Sequence, residues 1–297
     1  MQVSTARIII TGASGQLARA LGLRLGASAD PARVWMPPEG DLDITDPARL
    51  RKAVREHRTD WIVNCAAYTA VDAAEKEAEK AYRINDAALG PLADAALEGN
   101  AQLIHISTDY VFDGAKEVPY VEDDPTGPVN VYGASKLAGE IRLRSHRVRS
   151  AILRTAWLYS EGPRNFLRWA VDSGRKALVT GEALPVVTDQ VGSPTDVHSL
   201  AAQIEEVIAG GLEGTFHAVA GGSATWFEFA AEIFSQMGLQ VPLRPILGEN
   251  LGRLARRAGR VVLENRNLAA LGRNRMPHWK DGLRGVIARL ENGADRS

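Results

Sequence analysis

Short apolar runs alternate with longer amphipathic segments through the first half of the chain. The runs are rich in β-branched residues and short enough for strands buried on both faces, and they span residues 7–11, 33–36, 61–65, 103–107 and 151–154. The segments between them repeat apolar positions with helical spacing, at residues 16–25, 47–58, 78–98 and 132–146. This alternation predicts an α/β fold with a doubly wound parallel sheet covered by helices.

The second half of the chain is less regular and contains more glycine- and proline-rich segments. It has two further helical patterns, at residues 197–209 and 226–237, and one more predicted strand, at residues 215–219, which we expect to return to the main sheet. We therefore predict a first domain over residues 1–156, joined again by residues 197–220. Residues 157–196 and 221–297 then form a smaller interleaved α/β lobe.

Composition narrows the class of protein and of partner. Thirty-five basic and 36 acidic side chains give a formal net charge of -1, so no global charge favours nucleic acid or an anionic membrane surface. No apolar run approaches the ~18 residues of a membrane span. The single cysteine, Cys65, excludes a disulfide framework and fits a reducing compartment, so we expect a cytoplasmic protein. The six histidines show no metal-ligand spacing, and we expect no metal site.

A glycine-rich turn follows the first predicted strand, in the stretch TGASGQLA at residues 11–18. Gly12 permits the tight turn, Gly15 lets the backbone approach a diphosphate, and Ala18 is small enough for the helix to pack on the sheet. Unpaired amides at the helix start favour an anion there. Because the turn lies between a strand and a helix, it predicts a dinucleotide site of the Rossmann type in the first domain. A purely structural turn is the alternative.

The end of the second predicted strand bears on the choice between NADH and NADPH. Such folds place an acid there for the ribose 2′-hydroxyl, or an arginine for a 2′-phosphate, but this chain has Met36-Pro37-Pro38. Asp43 follows shortly after, and it either lies near the adenine or only caps local backbone. We therefore expect the protein to use NADPH somewhat better than NADH and to accept both.

Tyr132 and Lys136 are four residues apart at the start of a predicted helix, so both side chains lie on one face. An ammonium beside a phenol lowers the phenol pKa, which lets the pair exchange a proton with a substrate oxygen near neutral pH. Thr108 ends the fourth predicted strand, where we expect it to share a hydrogen bond with that oxygen. Taken singly, each residue has a structural alternative: Tyr132 as a half-buried ring, Lys136 as a solvated charge, and Thr108 as a strand-end hydroxyl bonded to backbone. Together with the glycine-rich turn they predict a hydride-transfer site.

Seven stretches resemble the dTDP-4-dehydrorhamnose reductase family, a branch of the extended short-chain dehydrogenases/reductases: TGASGQL, WIVNCAAYTAVDAAEKE, LIHISTDYVFDG, PVNVYGASKLAGE, ILRTAWLYS, VVTDQVGSPTD and GTFHAVAGG. The spacing of Tyr132 and Lys136 marks the whole superfamily, whereas STDYVF together with DQVGSPT is far more specific to this branch. In the final third, LARRAGRVVLENRNL resembles the family's arginine-bearing segment. The resemblance implies NAD(P)H-dependent reduction of the 4-keto group of dTDP-4-dehydro-6-deoxy-L-mannose, which gives dTDP-L-rhamnose.

The resemblance also implies a role for each site residue. Tyr132 donates the proton to the C4 oxygen, Lys136 holds the nicotinamide ribose, and Thr108 tunes the proton transfer. The implied cofactor contacts, besides Tyr132 and Lys136, are Gly12, Gly15, Gln16, Leu17, Asp43, Ile44, Ala67, Tyr68 and Thr69. The implied contacts of the dTDP-sugar substrate, in the smaller lobe and beside it, are Thr108, Asp109, Trp157, Gln190, Arg256 and Arg257.

Several alternatives stay open. Arg256 and Arg257 suit phosphate oxygens, yet with other arginines nearby they also suit a solvated basic patch. Sugar-nucleotide 4,6-dehydratases and epimerases resemble the chain, but the dehydratases carry an acid where this chain has Tyr110, which argues against them. A non-catalytic nucleotide-binding regulatory subunit retains the same motifs, and only turnover distinguishes it. The sequence also leaves open whether the protein forms a homodimer.

Overall fold

A six-stranded parallel sheet lies at the centre of the protein, which the computed structural model describes over residues 3–28 and 30–294. The strands of the chain are β1 (Ile8–Thr11), β2 (Val34–Trp35), β3 (Trp61–Asn64), β4 (Gln102–Thr108), β5 (Ser150–Thr155), β6 (Leu158–Tyr159), β7 (Leu184–Val187), β8 (Val191–Gly192), β9 (Thr195–Asp196), β10 (Gly214–His217), β11 (Ala224–Thr225) and β12 (Leu243–Ile246). The central sheet has the order β10-β5-β4-β3-β1-β2, and its neighbouring strands are all parallel. The fold-class prediction is confirmed.

Helices connect the strands and cover both faces of the sheet. They are α1 (Gln16–Ser28), α2 (Pro47–His57), α3 (Val71–Ala74), α4 (Ala78–Tyr82), α5 (Leu89–Glu98), α6 (Val131–Ser145), α7 (Phe166–Thr180), α8 (Val197–Gly210), α9 (Trp226–Gln236), α10 (Arg266–Ala270) and α11 (Trp279–Ala294). Short 3₁₀ turns lie at Val3–Thr5, Pro31–Arg33, Asp109–Val111 and Gly248–Leu251. Over the described residues, no helix combines the length and the apolar character needed to cross a membrane.

The prediction of one continuous helix over residues 78–98 is wrong. The helix is interrupted between α4 and α5 by a π-helical turn, Arg83–Ala87. This turn directs the buried side chain of Asn85 away from the helix, where Asn85 Oδ1 accepts from Tyr68 N at 2.8 Å and Asn85 Nδ2 donates to Tyr68 O at 3.0 Å. Single π turns inside α-helices often occur at functional sites, and this one holds the loop that follows β3.

Alternation along the strands sorts the core into two layers. Ile8 and Ile10 of β1 pack with α1 and α8 on one face, whereas Ile9 packs with α2, α5 and the end of α6 on the other. Because both faces are covered, the strands are continuous apolar runs, which is why they stand out in the sequence. A third cluster, formed largely by α7, α9 and α11, is the core of the chain that follows the main sheet.

A buried ion pair anchors α6 to the sheet. Arg154 of β5 meets Glu140 of α6 with Nη2 to Oε2 at 2.7 Å and Nε to Oε1 at 3.0 Å, and both side chains are at most 3% exposed. Ser107 of β4 donates to Glu140 Oε1 at 2.6 Å. Burial works against the carboxylate, but these hydrogen bonds and the guanidinium charge outweigh it, so the Glu140 pKa is lowered.

Glu140→Ala tests the anchor. It leaves the Arg154 guanidinium buried without a counter-charge, and we expect a loss of about 3–5 kcal/mol in the free energy of unfolding, measured by denaturant titration. Glu213→Ala is the matched control, because Glu213 pairs with Arg149 at the surface with side chains 46% and 59% exposed. The control variant is expected to lose about 1 kcal/mol or less. Equal losses for the two variants would contradict the anchoring role.

Candidate active site

A cavity of about 500 Å³ lies along the carboxyl ends of the central strands. The segment after β1, the segment after β3, the ends of β4 and β5, and the first turns of α6 all contribute to its wall. Its position is the topological switch point between β1 and β3, where the chain reverses its direction across the sheet. Ligands of doubly wound folds bind at this point, so the cavity is the candidate active site.

The glycine-rich turn forms one end of the cavity. Gly12 adopts a positive φ of 70°, and a Cβ there would lie 2.8 Å from Ala66 N, so the turn requires glycine. Gly15, Gln16 and Leu17 line the cavity at the start of α1, where the amides of the first helical turn and the helix dipole favour a diphosphate. The Gly15 amide itself donates to Gly12 O at 2.8 Å. Gly12 itself shapes the turn behind this wall.

The loop after β3 forms the next part of the wall. Ala67 and Thr69 line the cavity, whereas Tyr68 is held by its backbone to Asn85. Sequence analysis missed Asn85, because an asparagine within a helical pattern carries no motif. Its low helix propensity was the only available indication.

The residues predicted to contact the adenine are not brought to the cavity. Asp43 Oδ1 accepts from Thr45 N and from Thr45 Oγ1, each at 2.8 Å, and these hydrogen bonds lower its pKa. Ile44 is buried with 6% exposure. Asp43 therefore caps local backbone here, and its contact with the adenine of a bound cofactor stays a prediction. Arg33, the basic residue just before β2, donates from Nη1 to Thr5 O at 2.8 Å.

Lys136 lies at the base of the cavity, and its side chain is almost fully buried. Lys136 Nζ donates to Ile106 O at 2.7 Å and lies 3.1 Å from His105 Nε2. Burial lowers the Lys136 pKa to about 8, against the raising effect of Glu140. The amine therefore stays mostly protonated at neutral pH and titrates at lower pH than an ordinary lysine.

Tyr132 lies on the wall above Lys136, with its ring 5.4 Å from the ring of Tyr110 in an edge-to-face arrangement. Desolvation raises the Tyr132 pKa well above its ordinary value, and this effect outweighs the hydrogen bond with Thr108. The prediction that Lys136 lowers this pKa is therefore wrong: desolvation of the phenol dominates, and Lys136 Nζ hydrogen-bonds with Ile106 O and the His105 ring. A phenol that stays protonated at neutral pH suits the donation of a proton.

Thr108 and Asp109 stand beside the phenol at the end of β4. Thr108 Oγ1 donates to Asp109 Oδ1 at 3.0 Å and accepts from Tyr110 N at 3.2 Å. Asp109 is buried, and burial raises its pKa to about 7 despite these hydrogen bonds. A hydroxyl, a phenol and a carboxyl group thus meet at one point of the cavity.

Two tryptophans close the far side of the cavity. Trp157 has a positive φ of 46° and stacks on Trp226, with ring centroids 3.4 Å apart and planes within 2°. A Cβ on Gly192 would lie 2.5 Å from the Trp157 ring, so only glycine fits beneath it. Sequence analysis missed Trp226, because it opens a predicted helix and belongs to no motif. The stack separates this cavity from two neighbouring cavities.

The two neighbouring cavities are lined by residues predicted to bind the nucleotide part of the substrate and by a further arginine. Gln190 and Arg257 line the smaller cavity, and Arg257 forms a fork with Asp72, Nη1 to Oδ1 at 2.9 Å and Nη2 to Oδ2 at 2.6 Å. The Arg257 hydrogen bonds lower the Asp72 pKa to about 2. Arg256 is exposed and lines none of these cavities, whereas Arg253 lines the larger one of about 750 Å³. The structure therefore brings Arg257 to the site and leaves Arg256 outside.

One buried hydroxyl on the cavity wall has no hydrogen-bond partner among the described residues. Thr155 Oγ1, at the end of β5, is buried and unbonded while its residue lines the cavity. An orphaned hydroxyl and the amides of the glycine-rich turn fit a polar, anionic ligand, as a nicotinamide dinucleotide would be. Within the described parts of the chain, no group of three or more His, Cys, Asp or Glu side chains is placed to hold a metal ion.

Comparison with known proteins supports one family. A family model described as "RmlD substrate binding domain" matches residues 6–292. A dTDP-4-dehydrorhamnose reductase of Mycolicibacterium smegmatis is 37% identical over 291 residues, which cover 97% of this chain and 87% of the relative. A Streptomyces antibioticus protein named a probable dTDP-4,6-dihydroxy-2-methyloxan-3-one 4-ketoreductase is 37% identical over 281 residues, which cover 94% of this chain and 93% of the relative.

A solved structure is equally similar. The dTDP-4-dehydrorhamnose reductase of Bacillus anthracis str. Ames, in complex with NADP, has a TM-score of 0.91 and 38% identity to this chain. The superposition covers 97% of this chain and 100% of the other. The similarity thus extends through both the central sheet and the chain that follows it.

Asp109→Asn tests the electrostatics of the site. Between about pH 4 and pH 7 the folded carboxyl keeps a proton that the unfolded chain, with its ordinary pKa of 3.8, has lost. Stability of the unmodified protein therefore falls as pH rises through this window, and the asparagine removes that fall. We expect denaturant titrations to show a gain for the variant that grows from pH 4 to pH 7 and is constant above. Asp113→Asn is the control, because the Asp113 pKa is lowered and its effect has the opposite sign. A pH-independent gain for Asp109→Asn would contradict the assignment.

Proposed function

Because this chain belongs to the dTDP-4-dehydrorhamnose reductase family, we propose that it uses NADPH to reduce the 4-keto group of dTDP-4-dehydro-6-deoxy-L-mannose to give dTDP-L-rhamnose. The observation that carries the proposal is the convergence of the Tyr132 phenol, the Lys136 ammonium and the start of α1 on one cavity. Reduction of a ketone needs a cofactor cradle and a proton donor within reach of one oxygen. This cavity contains the residue types for both.

The cofactor side of the cavity runs from α1 to α6. Gln16 and Leu17 would hold the diphosphate by their amides, with Gly15 letting it approach the backbone and Gly12 shaping the turn. Ala67, Tyr68 and Thr69 would line the remainder. Lys136 would hold the nicotinamide ribose. When bound, the cofactor supplies the hydride. Asp43 and Ile44, which do not line the cavity, remain proposed adenine contacts.

Proton transfer is assigned to Tyr132. Its phenol is neutral near pH 7, so it holds the proton that the C4 oxygen takes up during reduction. Thr108 would orient that oxygen and Asp109 would hold Thr108 by the hydrogen bond between their side chains. Tyr110 occupies the place where dehydratases carry an acid, so elimination chemistry lacks its acid here.

The substrate side begins at Trp157 and continues past the tryptophan stack. Trp157 would pack against the sugar, and Gln190 and Arg257 would bind the nucleotide diphosphate. The fork to Asp72 holds the Arg257 guanidinium in place for a bidentate contact. Arg256, with its exposed side chain, is the weaker candidate for such a contact.

We propose that the two lobes bind different ligands. Residues 1–156, together with 197–220, would bind the cofactor, and residues 157–196 and 221–297 would bind the sugar nucleotide. Residues 1–2, 29 and 295–297 lie outside the described residues. The membership of β10 in the central sheet supports the return of residues 197–220. A homodimer and a cytoplasmic location remain predictions, and the single unpaired Cys65 favours the latter.

Turnover is the direct test of the function. Purified protein, NADPH and dTDP-4-dehydro-6-deoxy-L-mannose are mixed, absorbance of NADPH is followed, and the sugar product is identified by NMR. We expect oxidation of one NADPH for each dTDP-L-rhamnose formed. Binding of both ligands without turnover would instead favour the regulatory-subunit hypothesis.

Tyr132→Phe removes the proton donor and keeps the ring. We expect kcat to fall by about 10²- to 10⁴-fold, because positioned acid catalysis contributes that much, while NADPH affinity stays nearly unchanged. Steady-state kinetics and a fluorescence titration of NADPH measure the two effects. Turnover at the unmodified rate would remove Tyr132 from the mechanism.

Arg257→Ala removes the proposed diphosphate contact. We expect KM for the sugar nucleotide to rise by about 10- to 100-fold while KM for NADPH changes little, because charge-assisted hydrogen bonds contribute roughly 1.5–3 kcal/mol. Arg256→Ala is the matched control and is expected to stay close to the unmodified kinetics. An equal rise in both variants would show that Arg256 also reaches the substrate.

A further inference from the structure

A row of polar side chains crosses an otherwise apolar face of the central sheet beneath α6. Thr11 of β1 is in register with Asn64 of β3, and Asn64 is in register with His105 of β4. Two residues earlier on the same strands, and therefore on the same face, the corresponding positions are buried and apolar: Ile9, Ile62 and Leu103. Three adjacent strands of the sheet, β1, β3 and β4, thus carry a polar residue at one level, directly under the helix that bears Lys136.

The row forms a continuous hydrogen-bonded chain. Thr11 Oγ1 donates to Asn64 Oδ1 at 2.6 Å, Asn64 Nδ2 lies 3.0 Å from His105 Nδ1, and His105 Nε2 lies 3.1 Å from Lys136 Nζ. All four side chains are at most 2% exposed. Thr11 also accepts from Ala66 N at 3.3 Å, so one end of the chain is tied to the segments beside the glycine-rich turn. Burial of four connected polar groups is costly unless each is bonded, which indicates a specific role.

His105 is uncharged in this chain. Burial and the adjacent Lys136 charge hold the His105 pKa well below its ordinary value. A neutral imidazole has one N–H and one acceptor nitrogen. When Nε2 is the acceptor, it takes a hydrogen bond from the Lys136 ammonium, and the N–H on Nδ1 needs the oxygen of the Asn64 amide. That requires the amide to be turned over from its orientation in the structure, with Nδ2 toward Thr11 Oγ1.

The opposite placement of the imidazole proton, on Nε2, suits an uncharged Lys136. In the structure the Asn64 amide presents its nitrogen to His105, because its oxygen accepts from Thr11, so Nδ1 accepts and the proton lies on Nε2. That Nε2–H faces Lys136 Nζ, which accepts it only as a neutral amine. The orientation of the Asn64 amide and the charge of Lys136 are therefore linked through the imidazole.

Other groups facing Lys136 do not replace this contact. They are Tyr132 and Glu140 on its own helix, Cys65 beyond β3, and Arg154 of β5, which is bonded to Glu140. Burial raises the Cys65 pKa to about 12, so its thiol is uncharged. Among the described residues, the hydrogen-bond partners of Nζ are the carbonyl of Ile106 and the ring of His105.

We propose that His105 is a positioning residue for the reduction: its Nε2 accepts from the Lys136 ammonium when the Asn64 amide turns its oxygen to Nδ1, so the imidazole links the charge of Lys136 to Asn64 and Thr11. The role of Lys136 in catalysis rests on the proposed function. The hydrogen-bonded chain itself is a property of the protein without cofactor or substrate. Its test therefore needs neither of them.

The test measures the Lys136 titration by NMR in protein labelled with [ε-¹³C]lysine, with the resonance assigned by its loss in Lys136→Met. His105→Leu removes the acceptor, and we expect the Lys136 pKa to fall by about one unit or more, as loss of a charge-assisted hydrogen bond implies. His105→Gln keeps an acceptor oxygen, so the Lys136 pKa is expected to stay close to that of the unmodified protein. His217→Leu is the matched control, because His217 is also buried in the central sheet, on β10, and bonds elsewhere.

A second variant covers the case in which His105→Leu does not fold. Asn64→Leu leaves the Nδ1–H of His105 without an acceptor, which favours the proton on Nε2 and is expected to lower the Lys136 pKa while the imidazole remains. In active protein, the loss of kcat with rising pH should move to lower pH in the same variants. An unchanged Lys136 titration in His105→Leu, or in Asn64→Leu where the former does not fold, would overturn the proposal. So would equal shifts in His105→Leu and His105→Gln. Absence of turnover in the unmodified protein would instead count against the proposed function alone.

Discussion

The site depends on how α6 is held against the sheet. The ion pair of Glu140 with Arg154, completed by Ser107, fixes the helix one turn beyond Lys136. Because the pair is buried and hydrogen-bonded, displacement of the helix would expose two charges to an apolar interior. Tyr132 and Lys136 are on the same helix, so their height above the strand ends follows from this anchor.

Burial then sets the chemistry of each group. The same low exposure that raises the Tyr132 pKa lowers that of Lys136, so a neutral phenol and a readily titrated amine face one cavity. Reduction of a ketone requires the phenol in its protonated form at the start of the reaction. The lysine is therefore not needed to deprotonate the phenol in the resting protein, and its position on Ile106 and His105 is consistent with that.

The central sheet and most helices could be predicted because their apolar patterns depend on local alternation and on burial at both faces. The π turn at Asn85 could not, since its cause is a hydrogen bond to Tyr68 from a distant part of the chain. For the site, Tyr132 and Lys136 were found by their spacing on one helix. The helix that begins at Trp226 was predicted, but the stacking of Trp226 on Trp157 and the separation of Arg257 from Arg256 depend on how segments beyond β5 pack together, which local patterns do not show.

A crystal structure of the protein with NADPH and dTDP-L-rhamnose tests the central claim most directly. The account predicts Tyr132 Oη within about 3.2 Å of the C4 oxygen of the sugar, which is hydrogen-bond reach for a proton donor. It also predicts the cofactor diphosphate at the start of α1 and the sugar diphosphate on Arg257. A sugar bound with its C4 oxygen away from Tyr132 would contradict the account.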